Sequence, residues 1–330
     1  MARRTRTVGV ITLLSTTGWL LTAQVSAQKA GTPSSALSKG IARTPWGEPD
    51  LQGIWSYATL TPLERPKELA NREFFTDEEV AKRQAALSVD SAPRKGDPGT
   101  YNRFWFDQGR APSKRTSQIS DPPDGRLPPL TPRGQTILAR KRVLRDDGYR
   151  PADWTELQTD DRCIMYHGVP PQPSGYNNTY QIFQSPGLVA ILDENIHHVR
   201  LIHTDGRAHI GKNIPQWNGD SVGRWEGDTL VVETTNYNNQ TELRFPLQME
   251  GFENAKAVER FRRMDKNNID YRFTVDAPDI FTRPFTVTLP MATTEGPLFE
   301  YACHEGNHSM IGMLAGARLL DAEAAKAQGK

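Results

Sequence analysis

The feature that most restricts the fold is a period of two in the second half of the chain. Ile269, Tyr271, Phe273 and Val275 alternate with Asp270, Arg272 and Thr274, and Phe285, Val287 and Leu289 alternate with Thr286 and Thr288. Successive side chains of an extended backbone point to opposite faces, so the pattern reads as half-buried strands. Residues 188–192 are apolar on both faces; Asp193-Glu194-Asn195 then turns into a strand over 196–203. Further turns at Thr204-Asp205-Gly206-Arg207 and Glu226-Gly227-Asp228 flank the stretch ahead of a strand over 229–235. About six strands at hairpin spacing predict a mainly β fold, an antiparallel β-barrel or a sandwich.

The first half reads differently, as a partly helical, proline-rich region. Thr76 and Glu79 form a capping box for a helix over 77–87, and Thr131 followed by Pro132 starts a second helix running to about 145. Between them, residues 101–106 are aromatic and residues 121–132 are proline-rich and extended. The expected organisation is an export signal over 1–27, a flexible leader over 28–44 and an N-terminal region over 45–160 that packs on the barrel. The barrel core spans 161–320, and residues 321–330 form a tail.

The export reading rests on Arg3, Arg4 and Arg6, an apolar stretch over 8–21, and the small residues of Val25-Ser26-Ala27 before Gln28. It places the mature protein in the periplasm or outside the cell, with no membrane attachment once the signal is cut. In an oxidising compartment Cys163 and Cys303, the chain's 2 cysteines, are expected to form a disulfide. Closing so long a loop is worth several kcal/mol in the chain-entropy model. A net charge of +1 creates no field that favours nucleic acid. Walker and Rossmann glycine loops, the Gly-x-Ser-x-Gly elbow and Cys-x-x-Cys are absent from the sequence, which disfavours nucleotide-dependent, common serine-hydrolase and thioredoxin-like chemistry.

Two resemblances follow from short motifs. Gly53-Ile54-Trp55 and Gly223-Arg224-Trp225 resemble the Gly-x-Trp at lipocalin strand starts, which implies a lipocalin-like barrel. The block from Trp225 through Glu226-Gly227-Asp228 to Asn236, together with Glu259-Arg260-Phe261 and Tyr301-Ala302-Cys303-His304-Glu305-Gly306-Asn307, resembles a large family of secreted bacterial proteins. That likeness spans nearly the whole mature chain. It implies secretion and a shared fold, and no catalytic residues, because the family has no settled activity.

Three clusters carry candidate chemistry. His304 and Glu305 follow Cys303, and on a strand His304 would share a face with Glu300; the disulfide would bring them toward Asp160, Asp161, Arg162 and His167. A histidine beside a carboxylate suits acid–base work near neutrality. The second cluster is His197, His198, His203 and His209, with alternation placing His198 and Arg200 on one face. Neutral imidazoles also ligate metals, but the spacing here shows no paired ligand motif. The third combines Tyr180, Asn178, Trp217, Asn218 and Asp220, aromatic and polar groups that suit a sugar-like or aromatic ligand. Glu259 is a further carboxylate aimed at the interior by alternation.

The resulting expectation is a secreted lyase, hydrolase or isomerase that needs no cofactor and acts on a small molecule or oligosaccharide. His304, Glu305, His209 and His198 are its proton carriers; Arg200, Tyr180, Asn178, Trp217 and Glu259 contact the substrate. The alternatives are a non-catalytic ligand-binding barrel and a histidine-ligated metalloenzyme.

Overall fold

A computed structural model describes residues 41–69, 72–86, 107, 113–146, 148–244 and 248–328. The expected export signal, most of the leader and the aromatic stretch over 101–106 lie outside these residues. The strands are β1 (Gly53–Ser56), β2 (Ile119–Asp121), β3 (Thr179–Ser185), β4 (Leu188–Asp193), β5 (Val199–His203), β6 (Asp220–Glu226), β7 (Thr229–Thr235), β8 (Lys256–Arg263), β9 (Asn268–Asp276), β10 (Phe285–Thr288) and β11 (Met291–Thr293). The helices are α1 (Asp77–Ala86), α2 (Pro132–Leu144) and α3 (His308–Gln328).

The fold is mainly β and closes into a mixed barrel. Each neighbour pairs in the ring β1-β3-β4-β5-β6-β7-β8-β9-β11, and β11 pairs back onto β1. All these pairs are antiparallel except β5 and β6, which run parallel. The far edge of β9 is shared: residues 268–269 take β11 and close the ring, whereas residues 272–275 take β10, which carries β2. β1 supplies one stave of the ring, so the segment ahead of residue 160 does more than pack against the barrel.

Alternation sets the interior. On β8 the buried residues are Ala257, Glu259 and Phe261, and on β9 they are Ile269, Tyr271, Phe273 and Val275. Phe261, Phe273, Phe285, Trp55 and Leu230 fill the core, each worth about 2–3 kcal/mol on burial. The β6–β7 hairpin turns at Gly227, whose φ of +60° is open to glycine at no steric cost. Of the two Gly-x-Trp motifs, Gly53 starts β1, while Gly223 lies inside β6.

Both expected helix starts are present. Thr76 and Glu79 exchange hydrogen bonds at the start of α1, with Thr76 N donating to Glu79 Oε2 at 2.8 Å. Thr131 Oγ1 accepts from Gly134 N at 3.0 Å ahead of Pro132. Two local expectations differ. Residues 195–197 form a short 3-10 turn, with Ile196 at φ +54°, so β5 begins only at Val199. Residues 298–303 are irregular rather than a strand, and α3 begins at His308. Gly306, at a φ of +150°, lies in the turn between that stretch and α3. Among the described residues no helix is long and apolar enough to cross a membrane.

Cys163 and Cys303 are joined, with their Cα atoms 5.7 Å apart. Asn307 reinforces the junction by donating from Nδ2 to Asp161 O at 2.8 Å. The bridge docks the base of α3 against the 160–164 loop. Arg318, further along α3, donates to Pro151 O at 2.8 Å.

Candidate functional site: the parallel seam of the barrel

Parallel neighbours cannot be joined by a tight hairpin. Residues 204–219 therefore cross back over the wall between β5 and β6. The two strands touch in a single ladder pair, His203 with Val222. Three residues back from that pair, Arg200 stands level with Gly219, where no ladder pair forms. The seam gapes there into a cleft of about 530 Å³, within the range of small-molecule sites. His198 and Arg200 bound it on one side, Trp217 and Asp220 on the other, and Ile164 and Ile210 supply apolar wall. Ile164 directly follows Cys163, so the disulfide loop forms part of the cleft.

Pairs and networks fix the polar groups. His209 lies on the crossover and its Nδ1 is 2.7 Å from Asp220 Oδ2; the same oxygen accepts from Ile210 N at 3.2 Å. His209 Nε2 is buried with no hydrogen-bond partner among the described residues and lies 3.7 Å from Glu233 Oε1. Asn236, at φ +58°, pins the crossover by donating from Nδ2 to Ile210 O at 3.1 Å and Gly211 O at 2.9 Å.

Behind the cleft, Arg200 enters the barrel. It pairs with Glu259 through both terminal nitrogens, and its Nε donates to Ser221 Oγ at 2.8 Å. Thr234 Oγ1 accepts from the guanidinium at 3.0 Å, and Tyr271 donates to Glu259 Oε1 at 2.7 Å. Burial opposes the Arg200 charge, but the charge and hydrogen bonds of Glu259 outweigh it and hold the guanidinium ionised above its usual value. Burial, reinforced by Asp193 and Glu259, keeps the Tyr180 phenol protonated. Burial also pushes His198 down from the usual imidazole value; Asp193 opposes that shift and Arg200 adds to it. His198 is therefore a neutral imidazole at the cleft edge at neutral pH.

The structure thus brings His198, Arg200 and Trp217 to one cleft, sets His209 beside it through Asp220, and joins Glu259 to Arg200 from behind. Tyr180 lies deeper, its ring 4.8 Å from that of Tyr57. Asn178 is buried as a clasp: its Nδ2 donates to Asp107 Oδ2 at 2.8 Å and its Oδ1 accepts from Ser174 N at 2.7 Å. His304 and Glu305 are exposed on the turn after the disulfide and do not line the cleft. His167 does not join them either. It is buried, with Nδ1 2.8 Å from Tyr57 OH and Nε2 3.0 Å from Ser174 Oγ. Ser174 gives its own proton to Tyr176 O at 2.7 Å, so His167 donates to Ser174 and accepts from Tyr57, and the serine is not activated.

Sequence reasoning did not single out Ser221, Thr234, Tyr271 or Glu233. Only Tyr271 carried a signal, its place in the inward set of β9. Among the described residues, no three His, Cys, Asp or Glu side chains gather to hold a metal ion. In comparisons with known proteins, the chain matches no family model, no curated protein and no solved structure. The fold and the site together define a closed mixed barrel with an ionic interior and one open seam.

Proposed function

We propose that this chain is an exported enzyme that performs general acid–base chemistry on a carbohydrate-like molecule bound in the seam cleft. The observation that carries the reading is the meeting of a neutral His198, Trp217 and the Asp220 end of the His209–Asp220 pair around one cavity. Trp217 offers an aromatic face for a sugar ring, and the flanking amides and Asp220 offer hydrogen bonds. Asp220 holds His209 by Nδ1 and itself lines the cleft, so the pair meets the ligand through the carboxyl.

The chemistry that suits this set is a β-elimination, which is redox-neutral. His198 takes the proton from the carbon next to a carbonyl or carboxylate, a C=C bond forms from that electron pair, and the C–O bond beyond it breaks. The departing oxygen takes its proton from the His209–Asp220 pair, through the Asp220 carboxyl that lines the cleft. Export is part of the proposal: the Cys163–Cys303 bridge fits an oxidising compartment, and the mature chain then begins at Gln28.

The test is a turnover screen over neutral and uronate-containing oligosaccharides, followed by ultraviolet absorbance for an unsaturated product. His209→Ala and His198→Ala are expected to lower kcat by about 10²–10⁴ with the fold retained. Full turnover in both variants would remove these residues from the mechanism. The second reading, a ligand carrier without chemistry, draws on the exposed Val199, Leu201 and Ile210 at the cleft rim. Stoichiometric ligand recovery without product would favour it.

A further inference from the structure

A second cleft of about 530 Å³ lies on the other side of the crossover, bounded by Lys212, Asn239, Glu253 and Lys256. We propose that it is a subsite for an anionic unit of the same ligand, so that the substrate class is an acidic oligosaccharide. The inference rests on the sugar reading of the seam cleft and adds to it a second contact and a charge.

The two clefts are neighbours by construction. Asp220, which lines the first, pairs across β6–β7 with Thr235, which lines the second. Paired strands lie about 5 Å apart, so adjoining units of one ligand can occupy both clefts. The crossover serves both sides: Ile210 faces the first cleft, while Lys212 and Pro215 face the second. Asp220, which holds His209, stands at the boundary, where the bond between two units would fall.

Charge in the second cleft is left uneven. Lys256 is engaged by Glu233 at 2.5 Å, and Glu253 is engaged by Arg133, which also holds Asp279 at 3.0 Å. Lys212 is exposed and has no ion-pair partner among the described residues. It is the one lining cation whose counter-charge is missing there. A unit that carries a carboxylate supplies that counter-charge, and Asn239 and Asn254 on the same lining offer hydrogen bonds to its hydroxyls. A neutral sugar leaves Lys212 unmatched, and a simple anion makes no use of the asparagines.

The experiment is calorimetric titration of the full protein with α-1,4-linked trigalacturonate and with neutral maltotriose. Trigalacturonate should bind several-fold more tightly, with an affinity that falls as salt rises. Lys212→Glu should weaken trigalacturonate by about fivefold, the size of one lost exposed ion pair. Lys266→Glu, a charge reversal on the β8–β9 turn, should not. Equal affinities for the two sugars, no trigalacturonate binding, or the same loss in both variants overturns the subsite. Lys212-dependent binding without turnover keeps the subsite and sinks the enzymatic reading, so the two failures are separable.

Discussion

Arg200 on β5 reaches through the barrel interior to Glu259 on β8, and the two charges are 6% and 0% exposed. The guanidinium is held by Ser221 and Thr234 as well, and the carboxylate by Tyr271. An ion pair so placed is costly to desolvate and far more costly to break. Glu259→Gln should therefore destabilise the protein by about 3–5 kcal/mol, read as a lower urea midpoint. The double change Arg200→Met with Glu259→Leu should recover most of that loss, because both buried charges go. A wild-type midpoint in Glu259→Gln would mean that Arg200 finds water or another partner.

His198 makes stability pH-dependent in a defined direction. Burial lowers its folded pKa below the unfolded value, despite Asp193 and with help from Arg200. Below about pH 6.5 the unfolded chain takes up a proton that the folded chain resists. Stability is then lost as pH falls from that value toward the lowered one, and is free of the penalty above it. Burial raises Asp160, Asp161 and Glu194; these groups stabilise at more acid pH and lose that contribution as pH rises. Their effect is common to wild type and His198→Gln and cancels in the difference. Between pH 7 and pH 5 the Tm of wild type should drop relative to His198→Gln; parallel curves would contradict the assignment.

The disulfide closes a separation of 140 residues. In the chain-entropy model its removal costs about 5 kcal/mol. Cys163→Ser with Cys303→Ser should lower the urea midpoint by the same amount as reduction of the wild type. Amide exchange should rise first in α3, which the described contacts otherwise hold by Arg150, Arg318 and the buried Ala317. An unchanged midpoint would show that the barrel carries its stability without the link.

Much of this site was readable from local pattern. The alternation on β9 and on β8 told which residues face inward, and it put His198 and Arg200 on the same face. Thr76 and Thr131 announced helix starts because a cap is satisfied within a few residues. The pairing of Cys163 with Cys303 was expected from there being two cysteines in a chain read as exported. The failures were equally physical. His304 and Glu305 were expected beside His167, but a disulfide fixes only the atoms near it. The chain between 163 and 167 turns inward, so His167 goes to Tyr57 and Ser174 while His304 stays on the exposed turn.

The sequence by itself determined which residues extend, which side chains share a face, and where turns and caps fall, because these depend on neighbours a few positions apart. Only the tertiary structure decided that Arg200 meets Glu259, that Asp220 takes His209, and that β5 and β6 run parallel. A period of two states which way a side chain points and nothing about which strand stands opposite. That choice is made by closure of the ring, and it is the poorly zipped parallel seam left by closure that opens the cleft.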